Sequence, residues 1–172
     1  TFGLADGNDF RAENIKRRDW GCFFELFFRR QRLGRIELGI PGEHNVRNAL
    51  AAAGLAHSLG IEFATIEAGL RTFVGVERRF EKKGEAGGIL VIDDYAHHPV
   101  ELAATLATAR DIGRRVVAVF QPHLYSRTRD FLVDFAHSLQ AADQVFLADI
   151  YGSREEPIAG IHAGLIARVM RE

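Results

Sequence analysis

Between residues 20 and 40 the chain reads WGCFFELFFRRQRLGRIELGI, and Phe24, Leu26 and Phe28 alternate onto one face of the first run. A period of two predicts a strand, and the polar link at residues 30–32 turns it into a second, giving a β-hairpin. The period then lengthens. Val46, Ala49, Leu50, Ala53 and Ala56 recur at helical spacing in GEHNVRNALAAAGLAHSLG, so a helix is predicted that stops at Gly60. A second helix follows over residues 63–73. Beyond VGVERRFEKKGEAGG the rhythm alternates: GILVIDD, RRVVAVF and DQVFLADIY read as strands, and residues 99–110, 127–140 and 162–171 as helices. Apolar β-branched runs separated by helices predict a parallel sheet covered on both faces. The expected class is therefore α/β, with a small, Rossmann-like, doubly wound second half and a boundary near residues 75–80. No internal repeat or low-complexity segment interrupts the pattern.

A sheet of that kind collects ligands outside the carboxyl ends of its strands. Here those ends run into DDYAHHP, QPHLYSRTRD and DIYGSREEP, which hold most of the reactive side chains of the second half. All three loops should open on one edge.

Composition narrows the classes of partner. The 172 residues are 47% hydrophobic, ample for a buried core, and 22 basic against 23 acidic residues give a net charge of -1. With Lys and Arg scattered, no electrostatic footprint for nucleic acid is present. Cys22, the single cysteine, sits in an apolar strand and reads as a packed residue rather than a reactive thiol. Apolar stretches fall short of the ~18 residues that span a bilayer, and no basic-then-apolar leader opens the chain, so a cytoplasmic location is expected. The start without Met and the end within an amphipathic helix predict a piece of a larger protein.

Four stretches carry candidate chemistry. In DDYAHHP, Asp93, Asp94, Tyr95, His97 and His98 crowd one strand end, before a proline suited to the first turn of a helix. Asp and His ligate zinc or manganese, but adjacent side chains on an extended segment point opposite ways, so neither pair chelates one ion easily. In FQPHLYSRTRD, Ser126 is a candidate cap for the next helix. Arg127 beside it opposes the helix dipole unless an anion binds, and its fork of donors suits a carboxylate or phosphate. In GVERRFE two arginines sit at the expected boundary, where one can offset charge on a transferring phosphoryl group. In GEHNVRNALAA, His44, Asn45 and Asn48 cluster at a helix start. Capping explains one of them; Asn45 and Asn48, three apart, share a face on which an amide can pair with a purine edge. No GxxxxGK[ST] phosphate loop occurs in the chain.

Taken together, GEHNVRNALAAAGLA, FVGVERRFE, DDYAHHPVE, FQPHLYSRTRDF and ADQVFLADIYGSREEPI resemble the Mur ligases, ATP-dependent enzymes that attach amino acids to the peptidoglycan precursor. The resemblance spans nearly the whole chain. QPHLYSRT with DIYGSREEPI is similar to the branch that adds L-alanine to UDP-N-acetylmuramate. It implies that residues 1–78 are the last part of a central ATPase domain and residues 79–172 most of a C-terminal domain that closes over ATP and brings the amino acid. The phosphate loop and the residues that hold Mg2+ and the sugar carboxylate would lie outside this chain, which alone should not catalyse. It further implies that Asn48 contacts the adenine with His44 and Asn45 in support. Arg79 would reach the phosphates and Asp94 the ribose hydroxyls. Tyr95, His97 and Arg127 would line the amino-acid pocket, Arg127 pairing with the alanine carboxylate and His123 assisting. No metal ligand is assigned.

Three other readings stay open on sequence alone. One is a metal-dependent hydrolase built on Asp93, Asp94, His97, His98 and His123. Another is a related murein-peptide ligase. The last is a non-catalytic nucleotide-binding module.

Overall fold

In the computed structural model, which describes residues 1–18 and 20–172, alternation in the first third builds a sheet with one apolar face. Strands β1 (Phe2–Gly3), β2 (Phe10–Arg18), β3 (Gly21–Phe28) and β4 (Gln31–Leu38) lie in that order. β1 pairs parallel with β2, and the other pairs are antiparallel. The inner face carries Phe10, Ala12, Cys22, Phe24, Leu26, Ile36 and Leu38, all buried. Against it lie Val46, Ala49, Leu50 and Ala53 of helix α1 (Glu43–Ser58) and Ile66 of α2 (Phe63–Thr72). Period two on the sheet thus meets period 3.6 on the helix. Burial pushes the Cys22 thiol pKa up, in keeping with a packed residue.

Arginines cover the aromatic side chains left on the outer face. The Arg35 guanidinium lies 3.7 Å from the centroid of the Phe23 ring, and Arg32 reaches Glu25 at 3.0 Å. Such cation–π contacts contribute about 0.5–1 kcal/mol at exposed sites.

The predicted hairpin at residues 20–40 is present, but a second hairpin was not legible. β5 (Glu81–Ala86) pairs antiparallel with β6 (Ile89–Asp93) through Gly87 and Gly88, whose φ angles of 56° and 78° are what a type I′ turn requires. The EKKGEA run offers no apolar alternation and was read only as a connection.

The chain divides into two compact units, Thr1–Asp93 and Asp94–Glu172. In the second, α3 (Pro99–Asp111), β7 (Val117–Phe120), α4 (Tyr125–Asp130), α5 (Leu132–Leu139), β8 (Gln144–Leu147) and α6 (Gly164–Val169) follow the predicted alternation. β7 and β8 pair parallel from Val117 opposite Gln144 to Phe120 opposite Leu147. Phe120 packs with Leu102, Leu106, Phe135, Leu139 and Ile166 in one core.

Two local expectations change. The single helix predicted over 127–140 is broken at Phe131 (φ -114°, ψ 25°) into α4 and α5. The strand predicted through Tyr151 ends at Leu147, after which Tyr151 makes only an isolated parallel bridge to His123. β6 takes its ladder from β5, so the parallel ladder holds β7 and β8. The class is α/β, with both parallel and antiparallel pairing.

Phe63 lies flat over Gly34, where an added Cβ would meet the ring at 2.3 Å. Gly34→Ala is expected to destabilise the fold by about 1–3 kcal/mol, because the ring must move out of its packed position. A denaturant titration of both forms checks this, and an unchanged midpoint would show that the ring relocates freely.

Candidate functional site

Parallel pairing places the ends of β7 and β8 side by side, so the chain leaves both strands on the same edge. The loop after β7 carries His123 to Arg127 and the loop after β8 carries Tyr151 to Glu155. The two are stitched together: the Leu124 amide donates to the Tyr151 carbonyl at 2.9 Å, and the Tyr151 amide to the Pro122 carbonyl at 2.9 Å. The segment leading into α3 completes the cluster. Ring centroids run from Tyr95 to His97 at 4.8 Å, His97 to His123 at 5.9 Å and His123 to Tyr151 at 5.5 Å. Tyr95, His97, His123 and Arg127 are therefore linked in one chain of contacts; the strand-end rule accounts for His123 and Arg127, whereas Tyr95 and His97 follow β6, which lies outside that ladder.

Hydrogen bonds fix the ring states. Arg127 Nη1 lies 3.2 Å from His123 Nδ1. A guanidinium only donates, so this Nδ1 accepts and the proton of the neutral ring sits on Nε2. His97 is the opposite case: Nδ1 lies 2.8 Å from the Tyr95 carbonyl, which only accepts, so Nδ1 carries the hydrogen. Burial, first, and then the neighbouring Arg127 and His97 charges hold the His123 pKa below its usual value, with Glu155 opposing. The cluster thus presents a cation beside a neutral imidazole. Among the described residues no carboxylate lies within ion-pair distance of Arg127.

The adjacent pairs in DDYAHHP separate, as their alternation required. His98 turns away to cap α3: its Nδ1 accepts from the Val100 amide at 3.4 Å while Glu101 accepts from the His97 and His98 amides. Pro99 occupies the first turn. Asp93 lies 3.7 Å from Arg78, whereas Asp94 accepts the Ala96 amide at 2.7 Å in an Asx-type turn. Among the described residues no three His, Cys, Asp or Glu side chains converge as a metal-ligand group.

Two capping expectations are corrected. α4 begins at Tyr125, one residue before Ser126, and no side chain of its own caps it. Ser126 instead donates both its amide, at 2.9 Å, and its hydroxyl to Glu155. At α1 the cap position belongs to Gly42, whose φ of 101° suits glycine, and none of His44, Asn45 or Asn48 fills it. Asn45 donates to the Pro41 carbonyl at 2.7 Å, and Asn48 to the Asn45 side-chain oxygen at 3.4 Å, which joins the two amides on one face. His44 is half-buried and Asn48 exposed.

Arg79 sits exposed in the turn that enters β5, its amide donating to the Val76 carbonyl at 3.1 Å. Its neighbours Arg78 and Phe80 adopt φ angles of 56° and 49°. That left-handed backbone is uncommon for side chains of this size. Phe80 is buried and stacks on Trp20 at 5.8 Å, while the Arg78 amide donates to Glu81 at 2.8 Å.

Glu155 and Tyr151 were not singled out in the sequence, although the loop that holds them was. A carboxylate 29 residues downstream of its partner leaves no local spacing to read. A groove of about 280 Å³ lies elsewhere, in the first unit, beside Trp20, Cys22, Glu37 and Arg71. Its arginines already face Glu37 at 3.6 Å and Glu67 at 3.5 Å, and none of the candidate residues lines it.

Comparison with known proteins bears on the same segments. The model for the Mur ligase glutamate ligase domain matches residues 78–172, and that for the Mur ligase middle domain matches residues 1–56. A UDP-N-acetylmuramate–L-alanine ligase of Salinibacter ruber is 53% identical over 97% of this chain and 36% of its own length. One from Geotalea daltonii is 46% identical over 99% of this chain and 38% of its own. The chain thus spans little more than a third of these relatives. Among solved structures, a UDP-N-acetylmuramate-alanine ligase from Thermotoga maritima superposes with a TM-score of 0.82 at 31% identity, over 99% of this chain and 36% of that one. A murein peptide ligase from Psychrobacter arcticus gives 0.61 at 29%, over 99% and 34%.

Replacing Arg127 by Met removes one of the charges that disfavour protonation of His123. Its pKa is expected to rise, yet to stay below the usual value because burial, the larger cause, persists. Since His123 in the folded state resists protonation, the parent loses stability as pH falls below ~6.5, and the variant loses less. An NMR titration of the His123 ring checks the direction; an unmoved or lowered pKa would remove Arg127 as a cause.

Proposed function

The chain belongs to the Mur ligase family, and on that premise we propose that it is part of an ATP-dependent ligase that joins L-alanine to UDP-N-acetylmuramate. The observation that supports this reading most is the chain of Tyr95, His97 and His123 rings that ends on Arg127, which has no carboxylate within ion-pair distance among the described residues. A guanidinium left without an acidic partner suits the α-carboxylate of an amino acid, which two parallel N–H donors can grip. Tyr95 and His97 are assigned to the side-chain end of the amino-acid pocket, where limited room would favour a small side chain. Discrimination by one methylene is worth only ~1–3 kcal/mol.

The reaction proposed has two steps. The muramate carboxylate attacks the γ-phosphorus of ATP, ADP leaves, and an acyl phosphate forms. The alanine amine, having lost a proton, then attacks the acyl carbon; a C–N bond forms, phosphate departs with the electron pair of the broken C–O bond, and the nitrogen gives up a second proton, which the departing phosphate takes. Asn48, supported by His44 and Asn45, is assigned to the adenine, Asp94 to the ribose hydroxyls and Arg79 to the phosphates. Arg79 is the residue assigned to the phosphoryl transfer itself, because its charge offsets the negative charge that accumulates there.

Mg2+ neutralises phosphate charge in such a transfer. No ligand set for it converges among the described residues, and no phosphate loop is in the sequence, so both are assigned to the part of the ligase beyond these residues. The same reading carries a cytoplasmic location. No described helix is long and apolar enough to cross a membrane.

The test is phosphate release by the complete ligase with magnesium-ATP and UDP-N-acetylmuramate, with and without L-alanine. Release that needs both substrates is expected. Release without alanine overturns the assignment, and dependence on a peptide in place of alanine redirects it to a murein peptide ligase. In the same assay Arg127→Ala should raise the KM for L-alanine roughly 10- to 150-fold, the equivalent of about 1.5–3 kcal/mol for a charge-assisted hydrogen bond. The KM for ATP should barely move. Asp94→Ala should show the reverse pattern. Equal effects on both substrates would remove either residue from its assigned role.

A further inference from the structure

We propose that Glu155 is the positioning residue of the amino-acid pocket: its carboxylate clasps the first turn of α4 and so fixes where Arg127 and His123 stand. The inference rests on the pocket reading above for its kinetic consequence, although the clasp itself is a matter of geometry.

α4 is only six residues long, too short to be stable by itself, and no side chain of its own caps it. Its free amides are met from the loop after β8. Glu155 accepts the Ser126 amide through Oε2 at 2.9 Å and the Ser126 hydroxyl through Oε1. These donors, the Ser126 hydroxyl first, hold the Glu155 carboxyl below the usual carboxylate range. The carboxylate is thereby turned to Ser126 and makes no ion pair with the guanidinium one residue on.

Backbone strain shows why a clasp is needed. Leu124, which links His123 to α4, has φ 73° and ψ 133°. A branched residue reaches that region only where its surroundings hold it. Its amide is held by the Tyr151 carbonyl at 2.9 Å, and its carbonyl by the Thr128 amide at 3.1 Å and the Thr128 hydroxyl at 2.8 Å. Thr128 is fully buried. The strained residue is thus gripped from both sides, by the β8 loop and by α4, and Glu155 is the side-chain tie between those two. Gly152 permits the close approach: a Cβ there would meet the Tyr125 ring at 2.9 Å and the Glu155 carbonyl at 3.0 Å.

The experiment uses the complete ligase and three variants, Glu155→Ala, Glu155→Gln and Ser126→Ala. It reads the KM values for L-alanine and ATP, kcat, and hydrogen–deuterium exchange of residues 124–130. Glu155→Ala is expected to speed exchange in that segment about tenfold, with residues 43–58 unchanged. Its KM for L-alanine should rise about fivefold or more, while kcat and the KM for ATP move less. Glu155→Gln keeps an acceptor oxygen and should recover most of the difference. Ser126→Ala keeps the amide bond and should show a smaller change in the same direction, which preserves the test if Glu155→Ala folds poorly. Parental exchange and parental alanine KM in Glu155→Ala would overturn the proposal, and so would a loss shared equally by alanine and ATP. If the unaltered ligase shows no alanine-dependent phosphate release, the functional reading fails while exchange still decides the clasp: faster exchange in 124–130 supports it and unchanged exchange overturns it.

Discussion

Parallel pairing of Val117–Phe120 with Gln144–Leu147 is the constraint on which the candidate site depends. Two strands joined this way discharge their chains on one edge, so residues almost thirty positions apart become neighbours without any tertiary accident. Everything that follows on that edge is local adjustment. The ladder does not end abruptly but continues as single bonds through Tyr151 to Pro122 and from Leu124 to Tyr151, which extends the register of the sheet into its loops. The apolar side of the ladder, with Phe120 and Phe135 packed at 5.4 Å, is what makes the edge rigid enough to hold polar groups in fixed places.

Polar groups on such an edge are arranged by what each can donate. Arg127 and the carbonyl of Tyr95 admit no ambiguity, since one only donates and the other only accepts. They impose opposite tautomers on His123 and His97. A ring that must accept from a guanidinium resists a proton, so the charge of the cluster stays on Arg127. Turning Glu155 toward Ser126 has the same result, because a carboxylate with two donors of its own has little reason to swing to a third. Arg127 therefore keeps its distance from an acidic partner because the Glu155 carboxylate is satisfied at Ser126.

Much of this was legible in the sequence, for reasons that can be stated residue by residue. The alternation of Phe24 and Leu26, the helical spacing of Val46, Leu50 and Ala53, and the β-branched run at 116–119 each report which face is buried. Burial is what periodicity measures. β5 was missed because EKKGEA is largely exposed, leaving no buried face to imprint a period, and only Gly87–Gly88 signalled its turn. The break at Phe131 was missed because its flanks keep helical composition. Caps failed for another reason: Ser126 is a good cap by type, but α4 starts one residue earlier, and helix starts are set by tertiary contacts that a single position cannot encode. His123 and Arg127 were readable from the strand-end rule, whereas Glu155, tied to Ser126 across 29 residues, was not.

The clasp also bears on how a short helix can be trusted to hold an arginine in a fixed place. Six residues give at most a couple of internal helical bonds, and nucleation costs more than these return in isolation. α4 therefore takes its order from elsewhere: from the buried Thr128, from the ladder that continues through Tyr151, and from a carboxylate on a separate loop. Each of these has a different physical origin, apolar burial, backbone pairing and charge-assisted hydrogen bonding. Loss of any one would loosen the turn without unfolding the core beneath it, since Phe135 and Leu139 stay packed through α5. The position of Arg127 is consequently separable from the stability of the unit that carries it, and that separation lets a loop such as DIYGSREEP shift Arg127 while the sheet remains unchanged.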